Sequence, residues 1–107
     1  MIRFPYAKIN LGLNVVRKRS DGWHEIESVL VPIPLHDIVE VVEAPDLGPG
    51  VLEMTRSGLP VAGELTSDLC WRAVKAVGQL RSLPGLRLHL HKVVPMGAGL
   101  GGGSSDA

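Results

Sequence analysis

Between Ala7 and Val15 the chain alternates: Ala7, Ile9, Leu11, Leu13 and Val15 form one row, and Lys8, Asn10, Gly12 and Asn14 the other. A period of two over this length predicts a strand. It sends the apolar row into the core and sets Lys8 and Asn10 together on the opposite face. Arg17 to Gly22 is polar and ends in Asp-Gly, a turn signal. Residues 24–33 read as a second strand, closed by Pro32 and Pro34. Asp37 to Ala44 reads as a third, and Val51 to Thr55 as a short fourth after the turn Pro45 to Gly50. Ser57 to Gly63 reads as a loop.

The period then changes. Leu69, Ala73, Ala76, Val77 and Leu80 follow helical spacing and predict one helix face. Ser67 or Thr66 suits its N-cap, Asp68 its first turn, and Pro84-Gly85 its end. Leu86, Leu88 and Leu90 alternate with Arg87, His89 and His91, a last strand closed by Pro95. The order β-β-β-β-α-β-loop predicts an α+β fold.

With 107 residues the chain fits one domain with a modest core, and 45% apolar residues argue against disorder. No run approaches the ~18 apolar residues of a membrane span, and the N-terminus shows no secretory signal. The single cysteine, Cys70, excludes an internal disulfide framework and fits a cytoplasmic location. Net charge is zero but uneven. Residues 1–24 carry five basic and one acidic residue, 25–68 one basic and nine acidic, and 69–107 five basic and one acidic. Two basic ends that meet would build a site for an anion.

Five of the thirteen glycines lie between Gly97 and Gly103. The segment runs Pro95, Met96, Gly97, Ala98, Gly99, Leu100, Gly101, Gly102, Gly103, Ser104, Ser105, Asp106, Ala107. Glycines allow positive φ and close backbone approach, and successive free N–H groups form an anion nest. With the serines at a helix start, this is a phosphate cradle; the competing reading is a flexible tail. Gly97-x-Gly99-x-x-Gly102 fits the dinucleotide pattern, but its confirming acid would lie past Ala107 and the strands before it are wrong for a first βα unit. A Walker loop needs a lysine where Gly103 stands. The protein-kinase loop is a hairpin, whereas this one leads into serines.

Pro95 to Ala107 resembles the ATP-binding motif of the GHMP kinase superfamily. Its Gly-Leu-Gly-Gly-Gly-Ser-Ser-Asp-Ala form is similar to the branch that acts on a cytidine diphosphate methylerythritol, in the non-mevalonate route to isoprenoid precursors. Ala7-Lys8-Ile9-Asn10-Leu11 resembles that branch's first long strand, and Asp21-Gly22-Trp23-His24 its Asp-Gly-Tyr-His segment. The resemblance covers the whole chain and about the first third of a family member.

It implies an α+β fold like the second domain of ribosomal protein S5, here incomplete: residues 1–107 would be the N-terminal portion of the ATP-binding domain, cut after the glycine loop, with the C-terminal domain absent. The activity implied is transfer of the ATP γ-phosphoryl group, with Mg²⁺, to the substrate 2-hydroxyl. Lys8 matches the active-site lysine, favouring the developing alkoxide. Asn10 matches a substrate contact, and His24 the residue reading the cytosine edge. Trp23 stands where the family has a stacking tyrosine; indole stacks as well but loses the phenolic hydroxyl. Pro95 to Ser105 would hold the phosphates, with a serine hydroxyl reaching phosphate or Mg²⁺. Lys92 matches a residue on the adenine side. Asp68-Leu69 falls where the family often has Asn-Leu beside the adenine, and the acid lacks the amide's donor. The catalytic aspartate matches no segment here, so the chain alone is expected to be inactive.

Two other readings stay open: another small-molecule kinase of the superfamily, or a nucleotide-binding module without catalysis. Zero net charge and no basic-aromatic stripe argue against nucleic acid. His89 and His91 read as a solvent-facing pair rather than a metal site, Cys70 as packing, and Asp106 as part of the first turn of the next helix.

Overall fold

The computed structural model describes all 107 residues. In chain order the elements are β1 (Ile2–Arg3), β2 (Tyr6–Lys18), β3 (His24–His36), β4 (Ile38–Glu43), β5 (Leu52–Gly58), α1 (Leu69–Leu80), β6 (Leu86–Lys92) and α2 (Gly102–Asp106). A single 3₁₀ turn, Leu65–Ser67, precedes α1. The fold is α+β, as the periodicity predicts. No helix is long and apolar enough to cross a membrane.

Four strands form one sheet in the order β1-β4-β6-β5. β4 and β6 are antiparallel, whereas β5 and β6 are parallel because α1 carries the chain from one to the other. One face of this sheet supplies Val39, Leu52, Met54, Leu88 and Leu90, which pack on Cys70 of α1, with Trp71 and Val74 at the edge. On the opposite face His89 bonds Thr55 (2.7 Å) and Ser57 (2.8 Å), and His91 bonds the same serine (2.9 Å).

The helix is where it was expected, with three corrections. Its cap is Asp68, whose Oδ1 accepts the Cys70 amide at 3.0 Å. Ser67 instead turns back to donate to the Glu64 carbonyl, closing the 3₁₀ turn. The helix stops at Leu80, not at Pro84-Gly85. Gly85 belongs to the sheet side, where an added Cβ would lie 2.7 Å from the Ala44 carbonyl oxygen. The face is also rotated: Cys70 is buried and Ala73 and Val74 half-buried, while Leu69, Val77 and Leu80 stay open. The helix is apolar on more than one side, and the sheet covers only one of them.

β2 and β3 form a separate antiparallel ribbon, joined at the polar turn. Here the expected core row fails beyond its first member. Ala7 is fully buried, but Ile9, Leu11, Leu13 and Val15 are exposed, because past its start, where α2 touches β2, no element lies over the ribbon. The register shifts between Leu11 and Leu13 and again between Val15 and Arg17, with Gly12 at φ +72°. Pro32 and Pro34 do not end β3, which runs on to His36. Each ribbon strand is paired on one side only, so a proline can present its missing N–H to the open side. β5 likewise runs three residues past Thr55, into the segment expected as a loop.

Candidate functional site

The glycine segment does not trail away from the domain. The Lys8 amide donates to the Leu100 carbonyl at 2.8 Å, so the loop docks on the start of β2. Lys8 Nζ donates to the Gly99 carbonyl at 2.7 Å and to Asn10 Oδ1 at 2.8 Å. The alternation that set Lys8 and Asn10 on one face thus holds, and the structure adds the loop to them. Asn10 is steered in turn: its Nδ2 donates to Ser28 Oγ at 3.0 Å, and that hydroxyl donates to the Gly12 carbonyl at 2.7 Å. Ser28 escaped the sequence reading because it depends on a shifted register between β2 and β3.

Gly97, Gly99 and Gly101 all sit at φ +72°. Gly101 is the left-handed residue that starts α2, and the Lys8 stem lies across it, 3.0 Å from where a Cβ would stand. Gly102 follows with ordinary φ but no room: a Cβ would lie 2.8 Å from Val94 Cγ1. Outside strands and helices, no amide from Gly97 to Ser104 donates to another backbone group. These free N–H groups beside a lysine ammonium suit an anion with several oxygens. Pro95, Met96, Ala98, Leu100, Gly103 and Ser104 line the same hollow, together with Leu69 of α1.

Lys92, matched to a residue on the adenine side, lines with Asp68 and Leu69 a small cavity next to the loop. Its side chain is only 1% exposed, and its ammonium is held between Asp37 and Asp106. Asp37, at the entry to β4, also accepts the amides of Val93 (2.6 Å) and Val94 (2.8 Å). Asp106, at the end of α2, lies 2.8 Å from Lys92 Nζ. This cluster ties the sheet to the segment that follows the glycines. Burial pushes Asp37 up, but Lys92 and the two amides outweigh it and hold its carboxyl below the usual range. Burial, reinforced by the Asp37 charge, lifts Asp106 to about 6 against the pull of Lys92. Sequence gave no sign of Asp37 in this role, since 55 residues separate it from Lys92.

Next to the loop a smaller cavity, of about 90 Å³, shares Leu69, Met96 and Gly103 with it. Asp68 lines this cavity, so Asp68 and Leu69 do stand beside the glycine loop. Asp68 is paired with Arg56, whose Nη1 lies 3.4 Å from its Oδ2. Cys70 is buried behind, its thiol pushed up to about 12 by burial and by the Asp68 and Asp106 charges. A larger hollow of about 400 Å³ lies between the Pro49–Leu52 segment and the end of α1, and holds none of the candidate residues.

Trp23 and His24 are not brought to the loop. They lie at the tip of the ribbon, with Trp23 73% exposed and its amide bonded to Asp21. Lys18 pairs with His24, so ten residues of β2 separate them from Lys8, roughly 30 Å of strand.

Ser104 and Ser105 are exposed at the start of α2. The nearest carboxylate, Asp106, is buried and already bonded to Lys92. The loop therefore offers Mg²⁺ hydroxyls but no open carboxylate, a poor set for a hard cation.

The family model described as GHMP kinases N terminal domain matches residues 68–107. The 4-diphosphocytidyl-2-C-methyl-D-erythritol kinase of Azobacteroides pseudotrichonymphae is 46% identical over all 107 residues, and that of Parabacteroides distasonis 47%. The chain spans 38% of the length of each. A crystal structure of 4-(cytidine 5'-diphospho)-2C-methyl-D-erythritol kinase superposes with a TM-score of 0.70 at 37% identity, covering 100% of this chain and 37% of that one.

Proposed function

We propose, for a chain similar along its whole length to 4-diphosphocytidyl-2-C-methyl-D-erythritol kinases, that it supplies the lysine and phosphate-loop part of such a kinase. Acting with the further length its relatives possess, it would transfer the ATP γ-phosphoryl group to the 2-hydroxyl of 4-(cytidine diphospho)-2-C-methyl-D-erythritol. The observation that carries this reading is the bond from Lys8 Nζ to the Gly99 carbonyl. It holds a cation beside a row of free loop amides, where transferring phosphate and acceptor hydroxyl must meet.

Phosphoryl transfer is mainly positioning and charge stabilisation. The loop amides would bind triphosphate oxygens, and Lys8 would offset charge on the transferring group and the acceptor oxygen. Asn10, fixed by Lys8 and Ser28, would orient the acceptor. Mg²⁺ would neutralise phosphate charge when bound; the Ser104 and Ser105 hydroxyls alone are a poor hold for it. The cytidine end is assigned to Trp23 and His24, by stacking and edge hydrogen bonds. For one substrate to touch tip and loop, the ribbon must bend, and its register shifts around Gly12 and Val15 are where bending is easiest.

The test is a fusion of this chain to the part of the Parabacteroides distasonis kinase that follows the matched region. The fusion should phosphorylate the cytidine compound, and the chain alone should not. Lys8→Ala in the fusion should lower kcat by about 10²–10³-fold, with a smaller change in ATP affinity. Near-normal turnover of Lys8→Ala, or phosphorylation of mevalonate-type acceptors in preference to the cytidine compound, would defeat the proposal.

A further inference from the structure

The sheet face turned away from α1 carries a polar cluster with no part in phosphoryl transfer. Parity sets it there: Met54, Leu88 and Leu90 point into the core, so Thr55, Ser57, His89 and His91 point the other way. β5 and β6 run parallel, with Thr55 opposite His89 and Ser57 opposite His91, so the four side chains stand one strand spacing apart. Thr55 Oγ1 lies 2.7 Å from His89 Nδ1, and Ser57 Oγ lies 2.8 Å from His89 Nε2 and 2.9 Å from His91 Nδ1. No third His, Cys, Asp or Glu joins the two histidines to make a metal site. A serine hydroxyl has one proton, so between two neutral imidazoles Ser57 donates to one ring and accepts from the other. His89 is the ring held at both nitrogens. With its Nδ1–H given to Thr55, the Nε2 lone pair faces the Ser57 proton, and His91 Nδ1–H donates to Ser57 Oγ. A nucleophile, a base and a group that orients the base thus stand within hydrogen-bond reach of one another. A hollow of about 160 Å³, lined by Glu53, Thr55, Arg87, Leu88 and His89, opens beside the base.

We propose that Ser57 is a nucleophile that takes the acyl group of short-chain esters and thioesters, with His89 as its base and Thr55 as the positioning residue. Ser57 Oγ bonds to the acyl carbon while its proton passes to His89 Nε2. The bond from that carbon to the leaving oxygen or sulfur breaks, and the proton departs with the leaving group. Water then attacks the acyl-serine through the same base, which releases the carboxylic acid and restores the hydroxyl. The His91 Nδ1–H, beside Ser57 Oγ, is a donor for the charge that develops on the acyl oxygen. The hollow seats a small acyl group next to His89.

The experiment mixes the 107-residue chain with p-nitrophenyl acetate and follows p-nitrophenolate release, while mass spectrometry of acid-quenched peptides locates the acetyl group. Ser57 should be acetylated at least about 10²-fold faster than Ser20 or Ser82, exposed serines with no imidazole beside them, as a positioned general base provides. His89→Gln should remove that advantage, and Ser57→Ala should abolish the initial burst of release. Thr55→Val should slow acetylation of Ser57 by about tenfold, the worth of one hydrogen bond, and Thr55→Ser should restore it. These side chains lie on the open face of the sheet, so the variants keep the core intact. Equal acetylation of Ser57, Ser20 and Ser82, or Ser57 acetylation unchanged in His89→Gln, overturns the proposal. So does a burst that persists undiminished in Ser57→Ala, which would place the chemistry on the imidazoles themselves.

Discussion

Asp37→Ala should be the most damaging single change in the chain outside the apolar core. The side chain is fully buried and meets three donors: the Lys92 ammonium and the amides of Val93 and Val94. Truncation leaves two amides unpaired and strips Lys92, itself 1% exposed, of one of its two carboxylates. Breaking a buried ion pair from one side costs about 3–5 kcal/mol. A domain of this size has a stability of about 5–15 kcal/mol, so the loss is about a fifth of the total or more. With a urea slope of about 1–1.5 kcal/mol per molar, the midpoint should fall by roughly 2–5 M. Unfolding is followed by the fluorescence of Trp71, which packs on the sheet.

Arg87→Ala is the paired control. Arg87 also holds two carboxylates, Asp46 and Glu53, and so matches Lys92 in its number of ion pairs. All three groups are exposed, and solvent screens them. Its urea midpoint should stay near that of the unmodified chain. Asp37→Asn should fall between the two, since its carbonyl can still accept an amide but cannot balance Lys92. A small midpoint shift in Asp37→Ala, or an equal shift in Arg87→Ala, would refute the reasoning that burial rather than pairing sets the cost.

Asp106 should show the opposite pH sign to Asp37. With its value lifted from 3.8 to about 6, the stability it contributes is full below 3.8 and lost as pH rises through about 6. The difference between the unmodified chain and Asp106→Asn should therefore change by up to about 3 kcal/mol between pH 4 and pH 7, read by urea unfolding at each pH; a flat difference excludes the assignment. Asp37, held below its usual range, contributes stability that is present at neutral pH and lost as pH falls through its folded value. Gly102→Ala should cost about 1–3 kcal/mol and abolish tripolyphosphate binding, because its Cβ would meet Val94; retained binding would place the anion elsewhere. The Cys70 thiol, buried and pushed up to about 12, should resist a disulfide reagent at pH 8 until urea unfolds the chain.

Local signals in the sequence were legible where the structure is local. The alternation from Ala7 to Val15 placed β2, and the spacing from Leu69 to Leu80 placed α1 within a residue at its start. The glycine run pointed to left-handed backbone, found at Gly97, Gly99 and Gly101. Illegible were the features that depend on partners far along the chain. Asp37 and Lys92 are 55 residues apart, and nothing in either neighbourhood reveals the other. A lysine with an apolar pattern before it reads as an exposed strand end, yet Lys92 faces inward, in step with Leu88 and Leu90. The parity of β6 did contain that fact: positions 88, 90 and 92 share one face, so a lysine there must find acids or remain uncharged.

The ribbon is the reverse case, in which local pattern was right and its interpretation wrong. Period two specifies a strand with an apolar side, but not that something lies against that side. β2 keeps its alternation past Gly12 while its apolar row stays open to solvent, and β3 adds Ile26, Val29 and Leu30 to the exposed surface. Ordinary surfaces carry scattered apolar residues, but a continuous row along a two-stranded ribbon is hard to keep in water. The relatives are more than twice as long as this chain, and under the proposed function the ribbon would be covered within that longer protein. Were that covering to bend the ribbon at its register shifts, Trp23 and His24 would move toward Lys8. The energetic drive for cytidine and phosphate ends to meet would then come from burying this row, rather than from any contact between the tip and the loop themselves.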